Sequence, residues 1–198
     1  MRIIGGSAGS LLIKVPKGFA VRPTPDLVRQ AVFNSLGARV PGARVLDLFS
    51  GSGALGLECL SRGAVSVLSV EKISRHAAII QQNLAAVHLP SENFELRVQD
   101  VFTVIGQLAA ESRLFDLILA DPPFGEKNIG RRSTSLSQQL LDDERLPRLL
   151  ATEGMFVLGH TKRDTLSVPP QWRESKVMKH GDSMMRFLSA PSRRDGWN

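Results

Sequence analysis

From Arg44 onward, short apolar runs rich in Val, Leu and Phe alternate with longer stretches in which apolar residues recur at helical spacing. Continuous apolar runs of this length suit strands buried on both faces, and the 3.6-residue recurrence suits helices that bury one face. The pattern predicts strands over residues 44–49, 65–71, 94–98, 115–120 and 154–160, and helices over 54–61, 74–87, 101–111 and 136–150. Ser74 is placed to cap the second of these helices, and Pro90 closes the loop after it. Strand and helix in alternation are βαβ units, and crossovers of one hand wind them into an open, doubly wound, Rossmann-like parallel sheet of the α/β class.

Both ends depart from that alternation. Residues 3–15 suit a short hairpin or arm, and Arg22-Pro23-Thr24-Pro25-Asp26 leads into an apolar-periodic helix ending near Leu36-Gly37. Thr24 or Asp26 would cap that helix, and Gly37 would stop it. At the other end, residues 172–179 and 184–188 form an expected antiparallel pair joined by His180-Gly181-Asp182-Ser183, and 191–198 read as a frayed tail. The organisation expected is one domain over 1–190, with an N-terminal extension over 1–37 and a core over 43–190.

Composition narrows the class. The 198 residues are 42% hydrophobic and 22% charged, enough to bury one sizeable core. Twenty-five Lys and Arg against 19 Asp and Glu give a net charge of +6, which favours a polyanionic partner such as nucleic acid, or serves solubility alone. The single cysteine, Cys59, falls in a predicted helix interior and is expected to be a buried small hydrophobe. Four scattered histidines beside one cysteine make no metal-ligand cluster, so no metal is expected. The N-terminus lacks an apolar signal region and no apolar run is long enough to span a bilayer, which makes a cytoplasmic protein without a membrane partner the expectation. A monomer is the default.

The chemistry-bearing stretches lie where strands end. Leu46-Asp47-Leu48-Phe49-Ser50-Gly51-Ser52-Gly53-Ala54-Leu55-Gly56 sets a G-x-G-x-x-G pattern at a strand-to-helix turn, where backbone approaches a ligand beside a helix N-terminus. Glu71 follows Gly51 by 20 positions, at the end of the second strand, where a carboxylate can accept both hydroxyls of a ribose. A dinucleotide and S-adenosylmethionine fit this much equally. Asp47 separates them: its charge would repel a pyrophosphate and favours a sulfonium and an α-ammonium. Asp100, after the third strand, either accepts the amine of the adenine, with Val101 against the ring, or caps the helix that begins there; both roles are compatible.

The fourth strand stops at Asp121-Pro122-Pro123-Phe124. An exocyclic amine on a nucleobase is a poor nucleophile because its lone pair is delocalised, and it must be held so that the lone pair faces the incoming carbon. Asp121 and the Pro122 carbonyl supply two acceptors, the prolines lock the backbone presenting them, and Phe124 can stack on an extruded base. A plain reading, in which the prolines end a strand and Phe124 caps the core, stands beside this one.

Together these motifs resemble class I S-adenosylmethionine-dependent methyltransferases, and more closely the bacterial family that methylates the exocyclic N2 of a guanine in 16S ribosomal RNA, the small-subunit type D enzymes. The resemblance rests on Met1-Arg2-Ile3-Ile4-Gly5-Gly6, Arg22-Pro23-Thr24, Val28-Arg29-Gln30-Ala31-Val32-Phe33-Asn34, the glycine stretch through Leu57-Glu58, and Asp121-Pro122-Pro123-Phe124 in that order. It implies a mostly parallel seven-stranded sheet with the last strand antiparallel. It also implies a donor site of Asp47, Phe49, Gly51, Gly53, Glu71, Lys72, Asp100, Val101 and Asn34, with a target-amine site at Asp121, Pro122, Pro123 and Phe124. Arg22, Thr24 and Asn34 would belong to an N-terminal lid. Where relatives carry cations after the double glycine, this chain has Ala8-Gly9-Ser10. The candidates for the phosphate contacts are Lys14, Lys17 and Arg22 near the arm, with Thr24 beside Arg22 on the RNA side, and Lys127, Arg131 and Arg132 in the loop after the fourth strand. A plain reading leaves that loop merely solvated. The implied partner is ribosomal RNA or the small-subunit particle. Two other readings remain open: an adenine-N6 methyltransferase on DNA or RNA, and a non-catalytic RNA-binding module serving ribosome assembly.

Overall fold

A computed structural model describes residues 1–16, 24–123, 128 and 131–191. One sheet carries seven strands in the order β3-β2-β1-β4-β5-β7-β6. They are β1 (Arg44–Leu48), β2 (Ser66–Val70), β3 (Phe94–Arg97), β4 (Phe115–Ala120), β5 (Leu150–Thr161), β6 (Arg173–His180) and β7 (Ser183–Ser189). The pairs among β1 to β5 are parallel, whereas β7 runs antiparallel to β5 and β6. The expected terminal pair is β6 and β7, closed by a tight turn in which Gly181 takes φ 58°.

Five helices cover the sheet: α1 (Asp26–Leu36), α2 (Ala54–Ser61), α3 (Ser74–Ala86), α4 (Val101–Ala110) and α5 (Leu136–Asp142). Side chains alternate along each strand, so β1 sends Leu46 and Leu48 to one face and Val45 to the other. On the first face Leu46, Ile118 and Phe156 pack with Val104, Ile105 and Leu108 of α4 and Leu140 of α5. On the second, Val45, Leu117 and Val157 pack with Val32 and Phe33 of α1 and with Cys59 of α2, which is buried as expected. Truncating a fully buried residue such as Leu46 to Ala would cost about 2–5 kcal/mol.

The strand order positions the site. From β1 the chain steps outward through β2 and β3, then returns to the other side of β1 as β4. The order therefore reverses between β1 and β4, and the crevice outside their carboxyl ends is where open α/β sheets take ligands.

Residues 1–16 fold as a hairpin. The Ile3 N–H donates to the Leu11 carbonyl (3.0 Å) and the Ile13 N–H to that of Met1 (3.0 Å). Ile3, Ala8 and Ile13 are buried against Ala54, Leu57 and Val87. The double glycine docks on α2: the Ile4 and Gly5 N–H groups donate to the Glu58 carboxylate (2.6 and 2.9 Å). Gly6 has φ 77°, and a Cβ there would lie 1.9 Å from the Ser61 carbonyl oxygen, so no other residue fits.

Several local expectations are corrected. The helix expected over 136–150 stops at Asp142; Pro147 lacks an N–H and would clash inside a helix, and the Asp143 carboxylate instead takes the Arg145 N–H (2.9 Å). A 3-10 turn over Leu146–Leu149 follows, and β5 starts at Leu150, before the expected 154, with its register shifted between Phe115 and Leu117. Ser74 is the first helical residue of α3 and not its cap; Ile73 holds the cap position without a side-chain bond. Neither Thr24 nor Asp26 caps α1. Pro25 occupies that position, while Asp26 accepts from Arg29 (2.7 Å).

Candidate active site

Register carries three side chains to one place. Leu48 pairs with Val70 on one side and Ala120 on the other. The next residues, Phe49, Glu71 and Asp121, therefore stand side by side at the carboxyl edge, across the point where the strand order reverses. Beyond Phe49 the backbone turns sharply, with φ of 59° at Phe49, 58° at Gly51 and 78° at Gly53. Glycine takes such angles freely, whereas Phe49 holds them at a cost of about 1–2 kcal/mol. The Ser50 hydroxyl pins the turn, donating to the Asp47 carbonyl (2.8 Å) and accepting from the Val70 N–H (3.1 Å).

Glu71 braces the same turn from β2. Its carboxylate accepts the Gly51 N–H (2.9 Å) and the Ile73 N–H (2.8 Å). Asp100 caps α4 by accepting from Phe102 N–H (3.0 Å) and pairs with Lys72 Nζ (3.2 Å). Burial opposes ionisation of Asp100, but Lys72 and the helix N–H groups outweigh it and hold its pKa below the usual value. Val101 is buried in the core beneath, at the start of α4.

Asp47 lies under the turn and not in its open mouth. Its Oδ2 accepts from the Gly56 N–H (3.2 Å) and the Ser69 hydroxyl (3.4 Å), while its Oδ1 is buried without a partner among the described residues. A Cβ at position 56 would stand 3.0 Å from Asp47 Oδ2 and 2.9 Å from Ser69 Oγ, so glycine there lets α2 close over the acid. Burial pushes the Asp47 pKa up to about 7.

Asp121 is part-buried at the tip of β4, and its Oδ2 accepts from the Thr24 hydroxyl. Burial raises its pKa, and the Thr24 bond partly offsets that. Pro122 is buried and Pro123 exposed. Phe124, Lys127, Lys17 and Arg22 lie outside the described residues. Arg131 is exposed, and Arg132 is exposed but paired with Asp142 (2.7 Å). Asn34 is not brought to this edge. It is exposed in the last turn of α1, about 12 Å along the axis from Asp26, because α1 runs from the carboxyl edge toward the amino edge, where Arg39 donates to the Glu153 carbonyl (3.0 Å).

Two residues were missed from the sequence. Asn83 on α3 is buried with its whole amide satisfied: Oδ1 accepts the Lys14 N–H (2.7 Å), and Nδ2 donates to the carbonyls of Lys14 (2.9 Å) and Ser52 (2.8 Å). It ties the N-terminal hairpin to the glycine turn, and a polar residue at an apolar helical position was the available signal. Gly159 of β5 lies against Asp121; a glycine inside the apolar run Phe156-Val157-Leu158-Gly159 signals such a close approach.

A groove of about 940 Å³ opens at the opposite, amino edge, between Leu114, Leu150, Arg173 and Ser189, and contains none of these residues. Among the described residues no group of three or more His, Cys, Asp or Glu is placed to hold a metal ion, and no helix is long and apolar enough to cross a membrane.

A family model described as Conserved hypothetical protein 95 matches residues 1–189. The chain belongs to that family. It is 35% identical over 173 residues to Ribosomal RNA small subunit methyltransferase D of Escherichia coli strain K12, across 87% of this chain and 81% of that one. The protein of the same name from Haemophilus influenzae is 33% identical over 136 residues, 69% of each chain. Among solved structures, a hypothetical protein of Thermus thermophilus superposes with a TM-score of 0.76 at 27% identity, over 96% of this chain and 99% of that one. A conserved hypothetical protein of Streptococcus pyogenes does so at 0.68 and 28%, over 83% and 96%. The chain is a methyltransferase. Its glycine turn and the Asp-Pro-Pro strand end stand side by side at the carboxyl edge, where the strand order reverses.

Proposed function

We propose that this methyltransferase moves a methyl group from S-adenosylmethionine to the exocyclic N2 amine of a guanine in 16S ribosomal RNA, in the cytoplasm. The observation carrying the reading is the placement of Asp121 beside Phe49, so that an amine acceptor and the donor turn flank one crevice. The residues present fit the donor. Asp47 holds a buried carboxylate oxygen below the turn, without a partner among the described residues, a source of negative potential suited to a cation and hostile to a pyrophosphate. Glu71 stands at the end of β2 with its carboxylate on the turn, placed for ribose hydroxyls. When bound, S-adenosylmethionine supplies a methyl carbon made electrophilic by its sulfonium.

The chain's own groups would act by position. Asp121 and the Pro122 carbonyl accept the two N–H bonds of the amine and turn its lone pair toward the methyl carbon. With the C–N bond formed and the methyl–sulfur bond broken, its electron pair kept by the sulfur of the departing S-adenosylhomocysteine, the amine would acidify, and the Asp121 carboxylate would receive its proton. Orientation of this kind replaces a chance encounter with a fixed one and supplies several kcal/mol of the barrier reduction. The reading of guanine rests on family likeness; the strand-end geometry itself accommodates any exocyclic base amine.

The test offers labelled S-adenosylmethionine with unmodified small-subunit particles and with free 16S RNA, followed by nucleoside mass analysis. N2-methylguanosine is the expected product. N6-methyladenosine would replace the guanine assignment, and absence of both turnover and donor binding would overturn the enzyme reading in favour of a structural RNA-binding role.

A further inference from the structure

Asp121 is the residue on which the transfer depends, and its carboxylate is enclosed by two partners remote in sequence. On one side the Thr24 hydroxyl, 97 positions away, donates to Oδ2. On the other, the carboxylate lies over Gly159 of β5: a Cβ built there would meet Oδ1 at 2.2 Å and Cγ at 2.9 Å. The approach follows from register, since Ala120 pairs with Leu158 and the next residues on each strand are Asp121 and Gly159. Any side chain at 159 would push the carboxylate from its place, because the Asp121 Cα is also within 3.3 Å and the backbone cannot give way.

We propose that Thr24 and Gly159 form a cradle that positions the Asp121 carboxylate, committing Oδ2 to the threonine hydroxyl and presenting Oδ1 to the substrate amine. This rests on the reading of Asp121 as the amine acceptor. Thr24 is thus a positioning residue, acting on the protein's own acid and not on an RNA phosphate. The cradle fixes which oxygen faces substrate, and so the direction in which the amine lone pair points. It also couples the N-terminal segment to catalysis, because Thr24 precedes α1, which Asp26 and the buried Arg29 hold in place (2.7 Å).

The polar environment of Asp121 is simple. Burial raises its pKa and the Thr24 hydroxyl lowers it, and no charged side chain shifts it among the described residues. His160, the next residue of β5, projects from the other face of that strand, where it accepts from Arg186 Nε (2.9 Å). Glu71 is separated from Asp121 by Phe49, the residue that follows β1. A change at Thr24 therefore reads out on Asp121 directly.

The experiment compares Thr24→Val, Thr24→Ser and Gly159→Ala with the parent chain, each first shown by its circular dichroism melt to be folded. Carboxyl carbon NMR follows the Asp121 titration, and single-turnover methylation of small-subunit RNA gives the rate. Thr24→Val should move the Asp121 titration to higher pH, lower the rate by about 10- to 100-fold and shift the acid limb of its pH profile upward, with affinity for S-adenosylhomocysteine unchanged. Thr24→Ser, which keeps the hydroxyl, should restore both readouts. Gly159→Ala should lower the rate with donor affinity intact. An Asp121 titration that is the same in Thr24→Val as in the parent overturns the cradle, as does a rate loss in Thr24→Val that Thr24→Ser fails to restore. Should the parent chain methylate no RNA while Thr24→Val still moves the Asp121 titration, the functional reading falls and the cradle stands.

Discussion

Asp47 keeps one carboxylate oxygen bonded and the other buried without a partner among the described residues, an arrangement that costs stability and persists where it serves a site. Its pKa in the fold, about 7, lies above the ordinary 3.8. Between those values the unfolded chain has lost the proton that the folded chain keeps, so stability falls as pH rises through the window. Asp47→Asn is expected to melt above the parent at pH 8, by a margin on the order of a few kcal/mol, with the gap closing toward pH 4. Thermal melts across that range check it. Titration calorimetry of the same variant should show weaker binding of S-adenosylmethionine, because the neutral amide removes the negative potential from beneath the donor turn.

At the scale of elements, the glycine turn is held from three sides: Ser50 from within, Glu71 from β2 and Asn83 from α3. Asn83 links that turn to the end of the hairpin at Lys14. Asn83→Ala leaves the Lys14 and Ser52 backbone groups without partners, and a loss of about 1–3 kcal/mol is expected in urea unfolding, with a matching loss of donor affinity. Thr24→Val, in contrast, leaves donor binding alone, so the two variants separate the halves of the site. Glu58 organises the other end of the hairpin. Fully buried, it accepts from Ile4 and Gly5 and faces Arg62 (2.7 Å) and the equally buried Arg29 (3.7 Å). Glu58→Gln removes one of the two carboxylates that balance Arg29, the other being Asp26, and destabilisation of up to about 3–5 kcal/mol is expected from chemical denaturation.

Across the whole molecule the charge is +6, yet many cations are already matched: Lys72 with Asp100, Arg44 with Asp116, Arg132 with Asp142 and Lys162 with Asp182. Exposed pairs of this kind are individually weak and open readily to a phosphate. Binding of 16S RNA should therefore weaken steeply with added salt, log K falling linearly with log salt concentration at a slope set by the phosphates neutralised. Binding of S-adenosylhomocysteine should show no such slope. A filter-binding series against a calorimetric one makes the comparison, and a flat RNA series would show that the net charge serves solubility alone.

Patterns local to the chain were legible in its sequence. Apolar runs set β1, β2 and β4, their punctuation set where each stops, and the glycine spacing marked the turn after β1, because burial on both faces and positive φ each demand particular residues at particular positions. Local reading failed where something beyond the local pattern decided: Pro147 ends a helix that periodicity would have continued, and the course of the chain through α1, from Thr24 beside Asp121 to Arg39 beside Glu153, carries Asn34 away from the carboxyl edge. Strand order decided the rest. Only the placement of β4 beside β1, and β5 beside β4, brings Asp121 to the glycine turn, sets Gly159 under its carboxylate and lets Thr24 reach it from 97 positions away. Such contacts depend on which strands pair and in what register, a choice made by the packing of the whole sheet and written in no single stretch of residues.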